Sequence, residues 1–248
     1  MVIGFVARVC SAVMFEKRLA SIPSSRYGTY QLLGMDAMSP LPNDSKMKLL
    51  DAALRVIRTK GYTATTVDDI CAAAGLTKGS FFHHFKGKGE LALEAIQHWN
   101  ETTGGLFASA PYQQVADPRA RLLAYIDFRA QLLQGDLPDF TCLLGTMVQE
   151  AYATHPAIRQ ACDEGIQGHA DTVARIATEA KARYAPDAPW TPESLALYTQ
   201  AALQGAFILA KAKGGPEVAA QCVTHLKRYV ECLLGAPGAK TVSKRRAH

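Results

Sequence analysis

The side chains best suited to meeting another molecule lie close together, between Thr77 and His83: Thr77, Lys78, Gly79, Ser80, Phe82 and His83. They supply hydroxyl, ammonium and imidazole groups, one flat apolar ring, and a glycine where a surface must come near. Such a set suits the reading of base edges in a DNA groove, where hydrogen-bond donors and apolar contacts tell one base pair from another. It does not suit bond-making. The chain has no GxGxxG, HExxH, GxSxG or phosphate-loop pattern and no carboxylate pair that stands out, so no catalytic residue is assigned and an enzyme is not expected. His83-His84 and the pair His155 and His169 are poor metal ligands, because adjacent histidines face different ways and no acidic residue completes a site. Neither a metal nor a cofactor is expected.

Two helices crossing steeply would position this set. Cys71 is small enough for their contact, Gly75 supplies a left-handed turn, and Ile70, Ala74, Leu76 and Phe81 fall where the pair buries a shared core. Thr66 can cap the first helix, Val67–Ala74, with Asp68 and Asp69 placed well for its dipole. The second begins at Thr77 and runs to about Phe85. The same spacing also fits a plain helical hairpin in a bundle, with Phe82 and His84 as packing residues.

The rest of the chain reads as further helices. Leu49, Leu50, Ala53, Leu54 and Ile57 predict an amphipathic helix ended by Gly61, and Lys88 or Glu90 opens one that runs past Trp99. Gly104-Gly105 and Pro111 predict a break. Asp117-Pro118 open a helix to about Gln134, which Gly135-Asp136-Leu137-Pro138 close. Others are expected near 140–153, 156–184, 192–213 and 216–234, several with proline in the first turn. No segment alternates as a strand does, so the expected fold class is all-α.

Composition agrees with a globular chain. The apolar fraction is 48%, and no apolar run approaches the ~20 residues of a membrane span. No membrane partner is expected, and the chain reads as cytoplasmic. The six cysteines, Cys10, Cys71, Cys142, Cys162, Cys222 and Cys232, form no CxxC pair and read as reduced. Cys142, whose charged neighbours in sequence are Asp139 and Glu150, reads as a structural thiol. The net charge of +5 is unevenly spread: residues 1–100 and the tail 240–248 are basic, and 101–239 are acidic. A basic front on an acidic remainder suits a nucleic-acid-binding head on a body with another task.

The order expected is an arm over 1–42, a DNA-binding domain over 43–100, a body over 101–235 and a basic tail over 236–248. The arm lacks a sustained period. A disordered arm, or translation starting at Met35 or Met38, explains it better than a secretion signal, since Arg8 interrupts the apolar opening.

The motif Gly61-Tyr62…Thr65-Thr66-Val67-Asp68-Asp69-Ile70…Ala74-Gly75-Leu76-Thr77-Lys78-Gly79-Ser80-Phe81-Phe82-His83-His84-Phe85-Lys86-Gly87-Lys88-Gly89-Glu90-Leu91 resembles the DNA-binding domain of the TetR family of bacterial transcriptional regulators. The resemblance covers about Ser45–Trp99. It implies that Thr66 caps its helix and touches a phosphate, that Thr77, Lys78, Gly79 and Ser80 lie at the groove, and that His84 and Lys88 bind backbone phosphate. Phe82 stands where the family usually has tyrosine, so one phosphate hydrogen bond is lost and apolar contact kept.

The remainder resembles the family more loosely, through Thr141-Cys142-Leu143-Leu144-Gly145-Thr146…Glu150. The resemblance implies a helical body that binds a ligand and dimerises. The dimer stripe would be Leu195, Tyr198, Ala202, Gly205 and Leu209 on one helix and Val218, Cys222, Tyr229 and Leu233 on the next, although a monomeric core helix shows much the same pattern. Met147, Trp190 and Phe207 are the expected pocket residues. The function implied is a homodimeric repressor released from a palindromic operator in double-stranded DNA by a small-molecule inducer. A constitutive architectural DNA binder is the rival reading.

Overall fold

The structure is a computed structural model, and it describes residues 42–235. The expected arm and tail lie outside the described residues, which are helical with no strand among them. From Lys46 onward they belong to one compact unit.

Helices α1 (Pro42–Lys60), α2 (Val67–Ala74) and α3 (Lys78–His84) form the head, and α4 (Lys88–Ala108) leads out of it. Leu49, Leu50, Ala53, Leu54 and Ile57 of α1 all turn inward, as their spacing requires. The body follows: a 3₁₀ turn at Pro111–Gln114, then α5 (Pro118–Gln131), α6 (Leu137–Phe140), α7 (Leu143–Ala151), α8 (Pro156–Tyr184), α9 (Pro192–Lys213) and α10 (Glu217–Leu234). Helix α8 packs against α4, α5, α7 and α9, and α10 closes over α5 and α9.

Helix boundaries differ from expectation in two places. Gly104-Gly105 do not break α4, which runs on to Ala108 because the buried Phe107 anchors its last turn in the body core. The stretch after α5 does not merely close that helix. Gln134 lies beyond α5, Gly135 takes φ +83°, and Asp136 caps the single-turn helix α6 in a reciprocal box with Asp139, Pro138 sitting in its first turn. That turn holds Asp136 and Asp139 toward α1, where Arg55 pairs with them at 3.2 and 2.5 Å.

Two apolar cores result. The head-side core combines α1–α4 with Leu143, Leu144, Met147, Ile158 and Cys162 of α7 and α8. The body core joins the end of α4 to α5, the later part of α8, α9 and α10.

Candidate nucleic-acid interface

The turn between α2 and α3 is built from local hydrogen bonds. Thr66 accepts from the Asp69 backbone N–H at 3.2 Å, and the Asp69 carboxylate accepts from the Thr66 N–H at 2.8 Å, a reciprocal cap. Lys60 donates to Asp69 as well, and with Thr66 it holds that carboxyl well below the usual carboxylate range. Gly75 ends α2 at φ +66°, a left-handed conformation that a side chain would strain. Thr77 caps α3 by accepting from the Ser80 N–H at 3.2 Å. Ile70 and Phe81 are fully buried and Cys71 nearly so, which fixes α3 against α2.

Fixed in this way, α3 turns its polar set outward. Thr77, Lys78, Gly79, Phe82 and His83 are exposed and Ser80 is half-buried, so the six share the free surface of the helix. Phe82 is 57% exposed and meets Phe81 edge-on at 5.2 Å. The ring stands free to make an apolar contact with another molecule. Gly79 has only Thr77 Oγ1 near the place of a Cβ, so the first turn stays open to close approach. Lys78 pairs with Asp68 at 2.8 Å on the exposed surface, which raises its pKa.

Two protein-family models match the chain. Residues 49–95 match the model for bacterial regulatory proteins of the tetR family, and residues 118–226 match a tetracyclin repressor-like C-terminal domain. The transcriptional regulator AcuR of Cereibacter sphaeroides is 28% identical over 169 residues, which cover 68% of this chain and 77% of AcuR. The transcriptional repressor KstR2 of Mycobacterium tuberculosis is 34% identical over 89 residues, 36% of this chain and 42% of that one. A crystal structure of regulatory protein TetR from Rhodobacter sphaeroides superposes with a TM-score of 0.67 at 26% identity, covering 75% of this chain and 98% of that one. The chain belongs to the TetR family of bacterial transcriptional regulators. It is a DNA-binding regulator with a helix-turn-helix head and a helical body, and its family is one of regulators, not of enzymes.

Within this TetR-family head, the residues expected at phosphates are arranged unevenly. Thr66 is exposed at the start of α2. His84 is half-buried beside His83, and burial, His83 and Lys46 together lower its pKa. Lys88 does not point into open solvent. Its ammonium donates to the carbonyls of Tyr62, Thr63 and Thr65 at 3.0, 3.2 and 2.9 Å and lies 4.6 Å from the Tyr62 ring centroid. Its three protons are committed to the turn before α2, so in this conformation it braces that turn. A phosphate contact would require one carbonyl to be given up.

Sequence reasoning missed what ties this head to its body. Arg58 is almost fully buried, donates to the carbonyls of Leu54 and Thr141 at 2.8 and 3.3 Å, and lies 4.8 Å from the Trp99 ring centroid. Burial pushes its pKa down to about 10. Glu150 of α7 accepts from the Thr63 N–H at 2.7 Å. Cys142 is half-buried and packs against both apolar cores; Arg58, which donates to Thr141, and Lys211, which donates to Thr146, stand near it, cations that its sequence neighbours do not disclose. No sequence signal joins Arg58 to residues more than 80 positions away.

In the TetR-family body, the three expected pocket residues do not meet. Met147 is buried in the head-side core, Phe207 in the body core, and Trp190 packs at the body core's margin near Lys181. Each fills apolar space within its own core, so none lines the cleft that opens between α4 and α8. That cleft, of about 440 Å³, has Asn100, Thr103, Phe107, Gln113, Gly165 and His169 in its walls.

Of the expected dimer stripe, Leu195 turns inward at 3% exposed and belongs to the body core. Its place one turn before Thr199, which is also buried, puts it on the inner face of α9. Tyr198, Leu209 and Tyr229 stand out in solvent at 48%, 45% and 43% exposed, with the Tyr198 and Tyr229 rings 5.0 Å apart. Ala202, Gly205, Val218, Cys222 and Leu233 are half-buried beside them.

Proposed function

We propose that this regulator is a homodimeric repressor that leaves a palindromic operator when a small molecule enters its body. The observation that carries the reading is the pairing of an outward recognition helix, α3, with an unpartnered apolar stripe on α9 and α10. Isolated exposed apolar residues are ordinary, but Tyr198, Leu209 and Tyr229 with small residues between them form a continuous face. A second copy of the chain is the occupant that fits. Two-fold pairing buries the same stripe on both protomers and sets two α3 helices to read successive major grooves, about 34 Å apart. The name of the similar KstR2, a transcriptional repressor, supports repression.

In this reading 43–100 is the DNA-binding domain and 101–235 the ligand-binding and dimerisation domain of a cytoplasmic protein. No helix among the described residues is long and apolar enough to cross a membrane. Thr77, Lys78, Gly79, Ser80, Phe82 and His83 read the groove, while Thr66 and His84 lie along the backbone. Lys88 acts mainly by holding the turn that presents α2. The α4–α8 cleft receives the ligand, because α4 leaves the head directly and its far end lines that cleft.

The ligand must favour the released state, since equal affinity for both states shifts nothing. A hundredfold loss of operator affinity needs a coupling of about 2.7 kcal/mol. Calorimetry of an inducer with and without operator tests this, because DNA must weaken inducer binding by the same factor. Equal inducer affinities in the two titrations would defeat the release mechanism, and a monomer at micromolar concentration in sedimentation would defeat the dimer.

A further inference from the structure

The cleft between α4 and α8, of about 440 Å³, is kept open by glycines. A Cβ added at Gly104 or Gly168 would meet no atom within 4 Å, so each faces empty space. At Gly165 the opposite holds: a Cβ there would lie 2.6 Å from Asn100 Oδ1. The missing side chain lets the Asn100 amide lie against α8 at one end of the cleft. Farther along, the Phe107 and His169 rings, 4.5 Å apart, form the inner wall. The volume falls within the roughly 300–1,000 Å³ of small-molecule sites.

The walls offer hydrogen-bonding groups but no buried charge. Their charged side chains are Glu164 and Arg175, both exposed and about 16 Å apart along α8. Gln160 donates to Glu164 at 3.0 Å, and Arg175 donates to the Thr172 hydroxyl at 3.1 Å. Opposite charges at opposite ends, both in water, leave the space between them near neutral. His169 is uncharged, its pKa pushed to about 3 by burial and then by Arg129, which lies behind the Phe107 ring and outside the walls. Asn100 is half-buried, and its amide makes no hydrogen bond among the described residues, so its N–H groups and its oxygen are both unspent. Gln113 gives its N–H groups to the Phe107 carbonyl and the Tyr112 hydroxyl at 3.0 and 3.1 Å, which leaves its oxygen as an acceptor. A carboxylate or ammonium drawn into this space would give up water and find no buried counter-charge. An uncharged group that both donates and accepts exchanges its water for an amide that does the same.

We propose that the α4–α8 cleft takes an uncharged ring compound bearing an amide or a similar donor–acceptor group. The Asn100 amide meets that group, and the ring lies over Gly104 and Gly168 against Phe107 and His169. Rings pack well edge-on or offset against such a wall, and the two glycines give the thickness of a ring on either side. The proposal rests on the reading of the body as a ligand receptor and names the class of that ligand.

Titration calorimetry of the full chain with benzamide and acetanilide tests it, with benzoate and benzylamine as the anionic and cationic counterparts. At least one uncharged probe should bind saturably, and both ions at least tenfold more weakly. Gly168→Leu fills the open space from a helix position that favours leucine over glycine, so binding should fall at least tenfold while Tm holds or rises. Gly104→Leu is the second filling variant, should Gly168→Leu fail to fold. Asn100→Asp puts a charge where the amide stands, and benzylamine should then bind better than benzamide. No binding by either uncharged probe, equal binding of benzoate, unchanged affinity in a folded filling variant, or an unchanged order of probes in Asn100→Asp would each overturn the site. Operator release is read separately, by fluorescence anisotropy on a duplex that the protein selects from a random pool. Binding of an uncharged probe without release supports the site and removes the release mechanism. Release by a charged compound, undiminished in Gly168→Leu, keeps the mechanism and overturns the site.

Discussion

The head-side core and the body core are assembled from the chain in different ways. Most of the head-side core comes from one stretch, Leu49 to Ile96, in which each helix is begun or ended by residues a few positions away. The body core gathers Phe107, Tyr125, Val173, Leu203 and Leu226 from five helices spread over the rest of the chain. Helix α8 serves both, with Ile158 and Cys162 in the first core and Val173 to Ala180 in the second, and Cys142 packs against each. Between the two cores, α4 and α8 carry polar residues and glycines instead of large apolar ones, and there the cleft opens. Packed cores shift as units and do not deform continuously. A polar seam between two such units is therefore where a guest can move one against the other at least cost.

Emptying one core should separate their roles most sharply. Phe81→Ala removes a fully buried ring from the head-side core, at a cost of about 3–5 kcal/mol. Operator binding should be lost while the proposed α9/α10 dimer persists in sedimentation. Loss of the dimer as well would show that the two cores do not act apart.

A smaller effect should come from the seam, through pH. His169 is neutral in the folded protein, its pKa pushed to about 3 by burial first and Arg129 second. The unfolded chain takes up a proton near pH 6.5 that the folded chain refuses. This contribution to stability is full above about pH 6.5 and is lost as pH falls toward 3, by up to about 1.4 kcal/mol per unit. His84 shifts the same way, while Asp69 and Asp117 act only below their unperturbed pKa of 3.8. Urea denaturation of His169→Gln between pH 6.5 and 4.5 should give a flatter profile than the wild type. Parallel profiles would place the pH dependence elsewhere.

Within the head, Lys88→Met should cost about 1.5–3 kcal/mol, the scale of a charged hydrogen-bond network, because three carbonyls lose their donor. DNA binding should weaken with little change in its salt dependence. A clear drop in the slope of log K against log salt would mean that Lys88 meets a phosphate after all. The smallest effect expected is that of Thr66→Ala, about 1 kcal/mol from a lost helix cap, visible as a modest fall in Tm.

The helix-turn-helix was legible in the sequence because its determinants are local. Thr66 with Asp69, Thr77 with Ser80, and the left-handed Gly75 act within a few residues, so the pattern and its geometry are nearly the same statement. The body's helices were also legible, since prolines and caps mark most of their ends and apolar periodicity marks their inner faces. Where local signals compete with packing, the sequence misleads. Gly104-Gly105 read as a break, yet Phe107 two residues on is held by the body core and the helix continues. Leu195 fits the outer stripe of α9 by spacing, but the crossing of α9 with α8 and α10 turned it inward. Partners far apart in the chain were decided by tertiary structure alone: Arg58 with Thr141, Lys88 with the turn at Tyr62, and Arg129 beside Phe107 and Phe207. A side chain's type states what it can bind. Which partner it meets depends on helix crossings set by the whole core, and no spacing along the chain encodes those.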